Sequence, residues 1–242
     1  MTSPTSIVIP ILNEGKNINK MIKLIRYSLN KMKYEIVFID DDSNDNTKFI
    51  LEKNKKKFKN IQFFIRKKYQ KDLSQSCILG FKKSKYKNIL VMDGDLQHNP
   101  KYLPKMIKIF NKKNLDFLIA SRNFSSAKKE GLSFLRFYAS KVIISIFLLV
   151  IGNKTADPMS GFFIFKKKIF LKNKNMLFGK GYKILSDLIY SGEKDLKIHD
   201  FNIKFETRKK GKSKMGLGVL FQLIKFISIT GLKKLNLINF SR

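Results

Sequence analysis

Residues 88–100 read NILVMDGDLQHNP, and the rest of the chain is organised around them. Four apolar residues, Ile89, Leu90, Val91 and Met92, run into Asp93-Gly94-Asp95, then Gln97, then Pro100, which stops an extended run. A short apolar run bounded by turn signals predicts a buried strand whose end delivers carboxylates to a cleft. In extended geometry Asp93 and Asp95, two apart, project to the same side. Gly94 between them lets a ligand approach the backbone closely. Two carboxylates and an amide oxygen form an incomplete hard-oxygen cation site, the kind that holds Mg²⁺ when a substrate's phosphates complete the shell. The same residues also fit a strand end with ordinary Asp-Gly turn chemistry and no metal.

Toward the N-terminus the pattern repeats. Residues 6–11 (SIVIPI) predict a first strand, broken by Asn13-Glu14-Gly15. Ile18, Met21, Ile22, Ile25 and Leu29 then recur at helical spacing. Residues 34–39 (YEIVFI) predict a second strand that ends in Asp40-Asp41-Asp42-Ser43, with a helix starting at Asn46-Thr47. A third strand spans residues 61–65, followed by Arg66-Lys67-Lys68, and residues 73–81 predict a helix with Asp72 as its N-cap. Alternating strands and helices predict an α/β fold, a mostly parallel sheet covered by helices. Ligands of such sheets bind beyond the carboxyl ends of the strands. Asn13-Glu14, Asp40 to Asp42 and Asp93 to Gln97 all fall at such ends, so they are expected to converge on one cleft.

Toward the C-terminus a strand is predicted over residues 115–120, leading to Ser121-Arg122. A helix over residues 132–151 carries Arg136, Ser140 and Lys141 ahead of an apolar run, 142–151. Asp157-Pro158-Met159-Ser160-Gly161 precedes a strand at 162–165; a helix at 182–190 and a strand at 198–205 follow. Residues 206–215 form a loop dense in Arg208, Lys209, Lys210, Lys212 and Lys214. Residues 217–238 are apolar with Lys225, Lys233 and Lys234 interspersed. With no internal repeat and no Pro/Gly/Ser linker, the expectation is one catalytic domain, 1–215, with 216–242 as an amphipathic membrane-interface segment.

Composition narrows the partners. A chain of 242 residues, 43% hydrophobic and 12% aromatic, is long and apolar enough to fold around a substantial core. Its formal net charge of +32 calls for an anionic partner: nucleic acid, an anionic membrane surface or a phosphorylated substrate. Because Lys is spread along the whole chain, the charge gives the partner's sign and not its identity. A single cysteine, Cys77, excludes an intrachain disulfide and a Cys-rich zinc site, and its neighbours predict a buried thiol. The N-terminal residues have neither the charged region nor the apolar core of a signal peptide. No window offers eighteen uncharged apolar residues, so a spanning helix is not expected and the cytoplasmic side is the expected location.

Several segments taken together resemble one family: IVIPILNE, IDDDSNDNT, KDLSQSCILGF, VMDGDLQHNP, ASR, DPMSGFF, GYKIL and FETRKKGKSK. Over residues 5–215, in the same order, the chain resembles polyprenol-phosphate mannosyltransferases of the dolichol-phosphate mannose synthase type, within the family-2 glycosyltransferases. The resemblance implies a GT-A fold and inverting transfer of a sugar, mannose from GDP-mannose foremost, to a polyprenyl monophosphate. It implies that Pro10, Leu12, Glu14, Ile39 and Asp41 line the nucleoside pocket and that Asp93, Asp95 and Gln97 bind Mg²⁺ or Mn²⁺, with Gly94 against the donor. Arg122, Arg136 and Ser140 would face the acceptor phosphate and the donor diphosphate, and Arg208 and Lys214 would close over the donor. Leu12 stands where the family often carries an aromatic residue, and Asp42 where it commonly carries Asn or Gly.

A phosphate nucleophile needs no general base, since a phosphomonoester with second pKa of about 6 is largely dianionic at neutral pH. Asp187, a base candidate in relatives acting on hydroxyls, is then not needed. His98 is open to a role at the cation, whereas His199, alone on a late strand, reads as structural. Rival readings are a glycosyltransferase using a UDP-glucose or aminosugar donor and, from charge alone, a basic nucleic-acid-binding protein. No nucleic-acid motif accompanies the charge. A nucleotidyltransferase would want a Gly-rich phosphate loop after the first strand, which PILNEGKN is not.

Overall fold

A computed structural model of the chain describes residues 3–67, 69–122, 154–181, 184–191 and 195–203. Its centre is a seven-stranded sheet built from β1 (Thr5–Ile11), β2 (Tyr34–Asp40), β3 (Ile61–Ile65), β4 (Asn88–Val91), β5 (Phe117–Arg122), β6 (Phe163–Lys166) and β7 (Ile198–Ile203). The strand order is β3-β2-β1-β4-β6-β5-β7. Every neighbouring pair is parallel except β4–β6 and β6–β5, which are antiparallel. The α/β expectation is met, and the antiparallel insertion of β6 is what the strand-by-strand reading did not contain.

Because both faces of the sheet are covered, its central strands are apolar on both sides and sort their residues by parity. On one face Ile7, Ile9 and Ile11, with Ile36, Phe38, Leu90 and Leu118, pack beneath α1 (Gly15–Ser28), α2 (Thr47–Lys57) and α4 (Leu103–Lys112). On the other Val8, Val37, Ile39, Ile89, Val91 and Phe163 pack beneath α3 (Leu73–Lys83), α5 (Lys167–Asn173) and α6 (Ile184–Tyr190). Aromatic rings fill the second layer, with Phe81 edge-on to Phe165 at 5.0 Å and to Phe170 at 5.4 Å. Gly80 lets α3 sit directly on β1, since a Cβ there would lie 2.3 Å from Val8 Cγ1. Cys77 is buried in this layer, and that burial pushes its thiol pKa up.

Two helices went unread in the sequence. Leu103, Met106, Ile107 and Phe110 of α4 are all buried, at helical spacing, but Lys105, Lys108 and Lys112 interrupt the run and Pro104 looks like a breaker. At the first turn Pro costs nothing, because its missing N–H would have no helical partner. The seven-residue α5 follows β6 with no turn between them. Asp72 caps α3 as expected, accepting the Gln75 N–H at 3.0 Å. The predicted helix at 132–151, the basic loop at 206–215 and the segment at 217–238 lie outside the described residues. Among the described residues no helix is long and apolar enough to cross a membrane.

Candidate active site

Because β2, β1 and β4 are parallel neighbours, their carboxyl ends open on one edge of the sheet, and the three polar clusters meet there. The loops after β1 and β2 are laced together. The Asn13 N–H donates to Ser43 Oγ at 2.8 Å, the Asn44 N–H to Asn13 Oδ1 at 2.8 Å, and the Gly15 N–H to Asp45 Oδ2 at 3.1 Å. The loop after β4 closes against them: a Cβ on Gly94 would lie 2.6 Å from Ile11 Cγ2 and 3.6 Å from both Glu14 Cγ and the Pro10 carbonyl oxygen. Asn13, Asp42 and Leu96, one in each loop, have φ of 57°, 61° and 66°. Backbone strain of this kind concentrates where a site's shape is over-determined.

The sequence suggests that strand alternation projects Asp93 and Asp95 to the same side, but neither residue lies in the strand. β4 stops at Val91, and the chain turns through Gly94 and Asp95 instead of continuing extended. Asp95 makes the turn itself, its Oδ1 accepting the Gln97 N–H at 3.1 Å, the local bonding that takes Asp out of strands. Asp93 keeps a side chain that is 38% exposed. Gly161 packs directly on that carboxylate; a Cβ there would fall 2.9 Å from each of its oxygens. His98 lies behind it, nearly fully buried, so it does not present itself to a cation as the sequence had left open.

Residues 154–161, which deliver Gly161, are tied to three elements. The Thr155 hydroxyl and the Ala156 N–H donate to the two Asp200 oxygens at 2.6 and 2.9 Å, joining the segment to β7. The Ser160 hydroxyl donates to the Ala120 carbonyl at 2.7 Å on β5, and the Ser186 hydroxyl of α6 to the Pro158 carbonyl. Asp187 is buried and accepts the Phe178 and Gly179 N–H groups and the Ser191 hydroxyl, so it anchors the 177–181 loop.

The acidic cluster after β2 is largely internal. Asp40 is buried, which raises its carboxyl pKa, though the Ser43 hydroxyl and amide donate to it. Asp41 is paired with Arg66 at the end of β3, and its Oδ2 accepts the Asp72 N–H at 2.6 Å. Burial raises the Asp41 carboxyl despite these donors. Arg66 also donates to the Asp72 carbonyl at 3.1 Å, and Asp72 Oδ2 accepts the Gly181 N–H at 2.7 Å, so one network runs from β2 to the 177–181 loop. Ile39 is fully buried with its side chain in the α3 layer, so that side chain does not line an open pocket as the resemblance implies. Pro10 is buried, whereas Leu12 and Glu14 are half-buried at the edge, where Glu14 accepts the Asn17 amide at 2.6 Å. Arg122 is the last residue of β5, in register with Ile203. His199 on β7 stands 3.3 Å from Lys113 Nζ, away from this edge. Arg136, Ser140, Arg208 and Lys214 lie outside the described residues.

Sequence reasoning missed Gly161, Arg66 and the burial of His98. The motif DPMSGFF flagged the neighbourhood of the first, but its contact with Asp93 depends on β6 running antiparallel beside β4. Asp93, Asp95 and Gln97 offer hard oxygen donors only, and among the described residues no three His, Cys, Asp or Glu side chains gather to hold a metal unaided. That donor set fits a hard divalent cation that takes part of its shell from a phosphate ligand, the manner of Mg²⁺ or Mn²⁺.

Comparison with known proteins agrees with this architecture. The family model for Glycosyl transferase family 2 matches residues 6–173. A dolichol-phosphate mannosyltransferase of Pyrococcus furiosus is 33% identical over 224 residues, covering 92% of this chain and 62% of its own length. The chain thus spans less than two thirds of that relative. A dolichol-phosphate mannosyltransferase of Mycosarcoma maydis is 25% identical, over 93% of this chain and 78% of its own. Glucosyl-3-phosphoglycerate synthase of Mycobacterium tuberculosis, solved with Mn²⁺, UDP-glucose and phosphoglyceric acid, superposes with a TM-score of 0.71 at 14% identity, over 98% of this chain and 81% of that one. That likeness is one of fold. The chain belongs to glycosyl transferase family 2 and has the GT-A fold of that family.

Proposed function

We propose that this glycosyltransferase moves a sugar, mannose from GDP-mannose, onto a polyprenyl monophosphate with inversion at the anomeric carbon. The observation that carries most weight is the seat of Gly161 against the Asp93 carboxylate. It joins the two motifs most specific to polyprenol-phosphate mannosyltransferases, DGDLQHNP and DPMSGFF, at one point of the sheet edge. Two relatives bearing the name dolichol-phosphate mannosyltransferase support the same acceptor class.

In this reading Pro10, Leu12, Glu14, the backbone of Ile39, and Asp41 border the nucleoside. Asp93, Asp95 and Gln97 would hold Mg²⁺ or Mn²⁺, which when bound offsets the negative charge growing on the leaving diphosphate. Arg208 and Lys214 would add cationic donors over the donor, worth more once the loop excludes water. Arg122, Arg136 and Ser140 would grip the acceptor phosphate, bidentate pairing by Arg offsetting the approach of two anions. Arg136 and Ser140, four apart, would share a helix face. The phosphate oxygen attacks without a protein base, and that agrees with Asp187 being spent on the 177–181 loop. Residues 1–215 would form the catalytic unit and 216–242 a segment lying on the cytoplasmic face of an anionic membrane, beside the lipid acceptor.

The test is a panel of GDP-mannose, UDP-glucose and an aminosugar nucleotide, each with one polyprenyl phosphate and Mg²⁺ or Mn²⁺. Lipid-linked mannose and GDP as products, lost in EDTA and in Asp93→Ala or Asp95→Ala, are expected. Transfer from another nucleotide alone refutes the donor assignment. No transfer from any of them, with salt-dependent retention on nucleic acid, refutes the function.

A further inference from the structure

His98 is 2% exposed and carries a ring that takes no part in the chemistry above. It stacks on Phe162 with centroids 5.0 Å apart and planes 20° from parallel. Its Nδ1 accepts the Asp93 backbone N–H at 3.0 Å and stands 3.6 Å from Asp93 Oδ2. A ring nitrogen that accepts a hydrogen bond bears no hydrogen, so this bond assigns the hydrogen to Nε2. The place of the bond matters. The Met92 N–H still reaches the Val8 carbonyl of β1, at 3.2 Å, whereas Asp93 is the next residue, where the chain has left the sheet. Its amide is therefore held by a side chain five residues on, across a turn whose Leu96 has φ of 66°. Phe162, which supports the ring, immediately precedes β6 and follows Gly161, which packs on the Asp93 carboxylate from another side.

We infer that His98 is the positioning residue of Asp93: its Nδ1 closes the 93–98 turn and, with Phe162 and Gly161, fixes where the carboxylate points. The inference rests on the reading of Asp93 as a cation ligand. Side chains that orient a metal ligand cost about 10–100-fold in metal affinity or activity when removed.

Two variants separate the acceptor from the ring. His98→Phe keeps an aromatic plane for Phe162 and loses the acceptor. His98→Asn gives up the stack and places a carbonyl oxygen about where Nδ1 stood. The measurement is Mn²⁺ affinity of the full chain, followed by electron paramagnetic resonance at saturating GDP and again at saturating UDP, beside thermal melting. Asp93→Asn serves as the control. The expected result is a loss of Mn²⁺ affinity of about tenfold or more in His98→Phe, and affinity within about threefold of wild type in His98→Asn. Wild-type affinity in His98→Phe, with Asp93→Asn impaired, overturns the positioning role and leaves the cation site standing. Equal losses in both His98 variants, tracking a fall in melting temperature, overturn it in favour of packing alone. Wild-type affinity in Asp93→Asn overturns the cation reading and the inference together.

Discussion

Gly161→Ala is the smallest perturbation that reaches the proposed cation site without touching a ligand. The Gly161 φ is not in the left-handed region, so alanine is conformationally admissible there. The added methyl carbon would stand 2.9 Å from Oδ1 and Oδ2 of Asp93 and 3.2 Å from its Cγ. Ordinary contact begins near 3.4 Å, so the carboxylate must retreat by about half an ångström. Its side chain is 38% exposed and has room to do so. The fold should therefore absorb the change at a cost of about 1 kcal/mol, the scale of one off-rotamer side chain, seen as a drop of about 2–4 °C in melting temperature.

Catalysis should respond somewhat more. Misplacing a reacting or charge-bearing group by about 1 Å costs on the order of a hundredfold, so half that distance predicts a loss of about tenfold, or 1.4 kcal/mol. The assay is steady-state transfer from the active sugar nucleotide at several Mn²⁺ concentrations. The apparent Mn²⁺ requirement should rise, and extra Mn²⁺ should recover part of the rate. Activity within twofold of wild type at limiting Mn²⁺, with unchanged melting, would show that the meeting of Gly161 and Asp93 is packing and nothing more.

Arg66→Ala leaves the buried Asp41 carboxylate without its cation, and should cost about 3–5 kcal/mol; a urea titration losing under about 1 kcal/mol would refute the pairing. Burial raises the Asp116 carboxyl, but the Lys197 amide and the Lys166 ammonium at 3.1 Å outweigh it and hold the group below its ordinary 3.8. The unfolded chain then binds this proton more readily, so the pair's stability is present above pH 3.8 and fades as pH falls through the lowered value. Asp116→Asn should thus lower the melting temperature at pH 7 and progressively less below pH 3.8; an equal drop at both would contradict it. Arg208→Ala should weaken nucleotide-sugar use and Arg136→Ala chiefly lipid-phosphate use, each by about 1.5–3 kcal/mol, and identical effects on both substrates would count against the division. Deleting residues 217–242 should release the protein from anionic vesicles while sparing nucleotide binding, because Lys225 at the centre of a span would cost at least about 2.5 kcal/mol; a carbonate-resistant, protease-protected C-terminal fragment would show a span instead.

What the sequence made legible is what local pattern encodes. The β-branched runs of β1 and β2, the helical recurrence from Ile18 to Leu29 and the Asp72 cap follow from backbone preference and burial within a dozen residues. Parallel neighbours then put every carboxyl end on one edge, which is why three separate polar clusters were expected to converge. α4 was missed because lysines and Pro104 broke the apolar pattern while its buried face stayed intact. The contacts that shape the site depend instead on register. Asp40 pairs with Ile65 across β2 and β3, which sets Asp41 beside Arg66. Val91 pairs with Phe163 across β4 and β6, which carries Gly161 to Asp93. Neither register is readable from the letters of a single strand.

The charge of the edge sharpens the functional argument. The chain has 50 Lys and Arg against 18 Asp and Glu, yet Glu14, Asp40, Asp41, Asp42, Asp45, Asp93 and Asp95 all fall in the loops beyond β1, β2 and β4 or at their ends. A surface meant to bind anions directly would put lysines there. Asp40 is held by Ser43, and Asp41 by Arg66 and the Asp72 amide, so both shape the loops. Asp93 and Asp95 are both partly exposed in the loop beyond β4. Carboxylates repel a diphosphate unless a cation stands between them, so an acidic edge serves an anionic donor only through such a cation. The surplus of lysine elsewhere then has a separate task. On the proposed function it would draw polyanionic donors and anionic lipid surfaces toward the protein at long range, an effect that salt screens within about 8–10 Å. Metal removal and high salt should accordingly fail differently: the first by lowering the rate at saturating substrate, the second by raising the substrate needed to reach it.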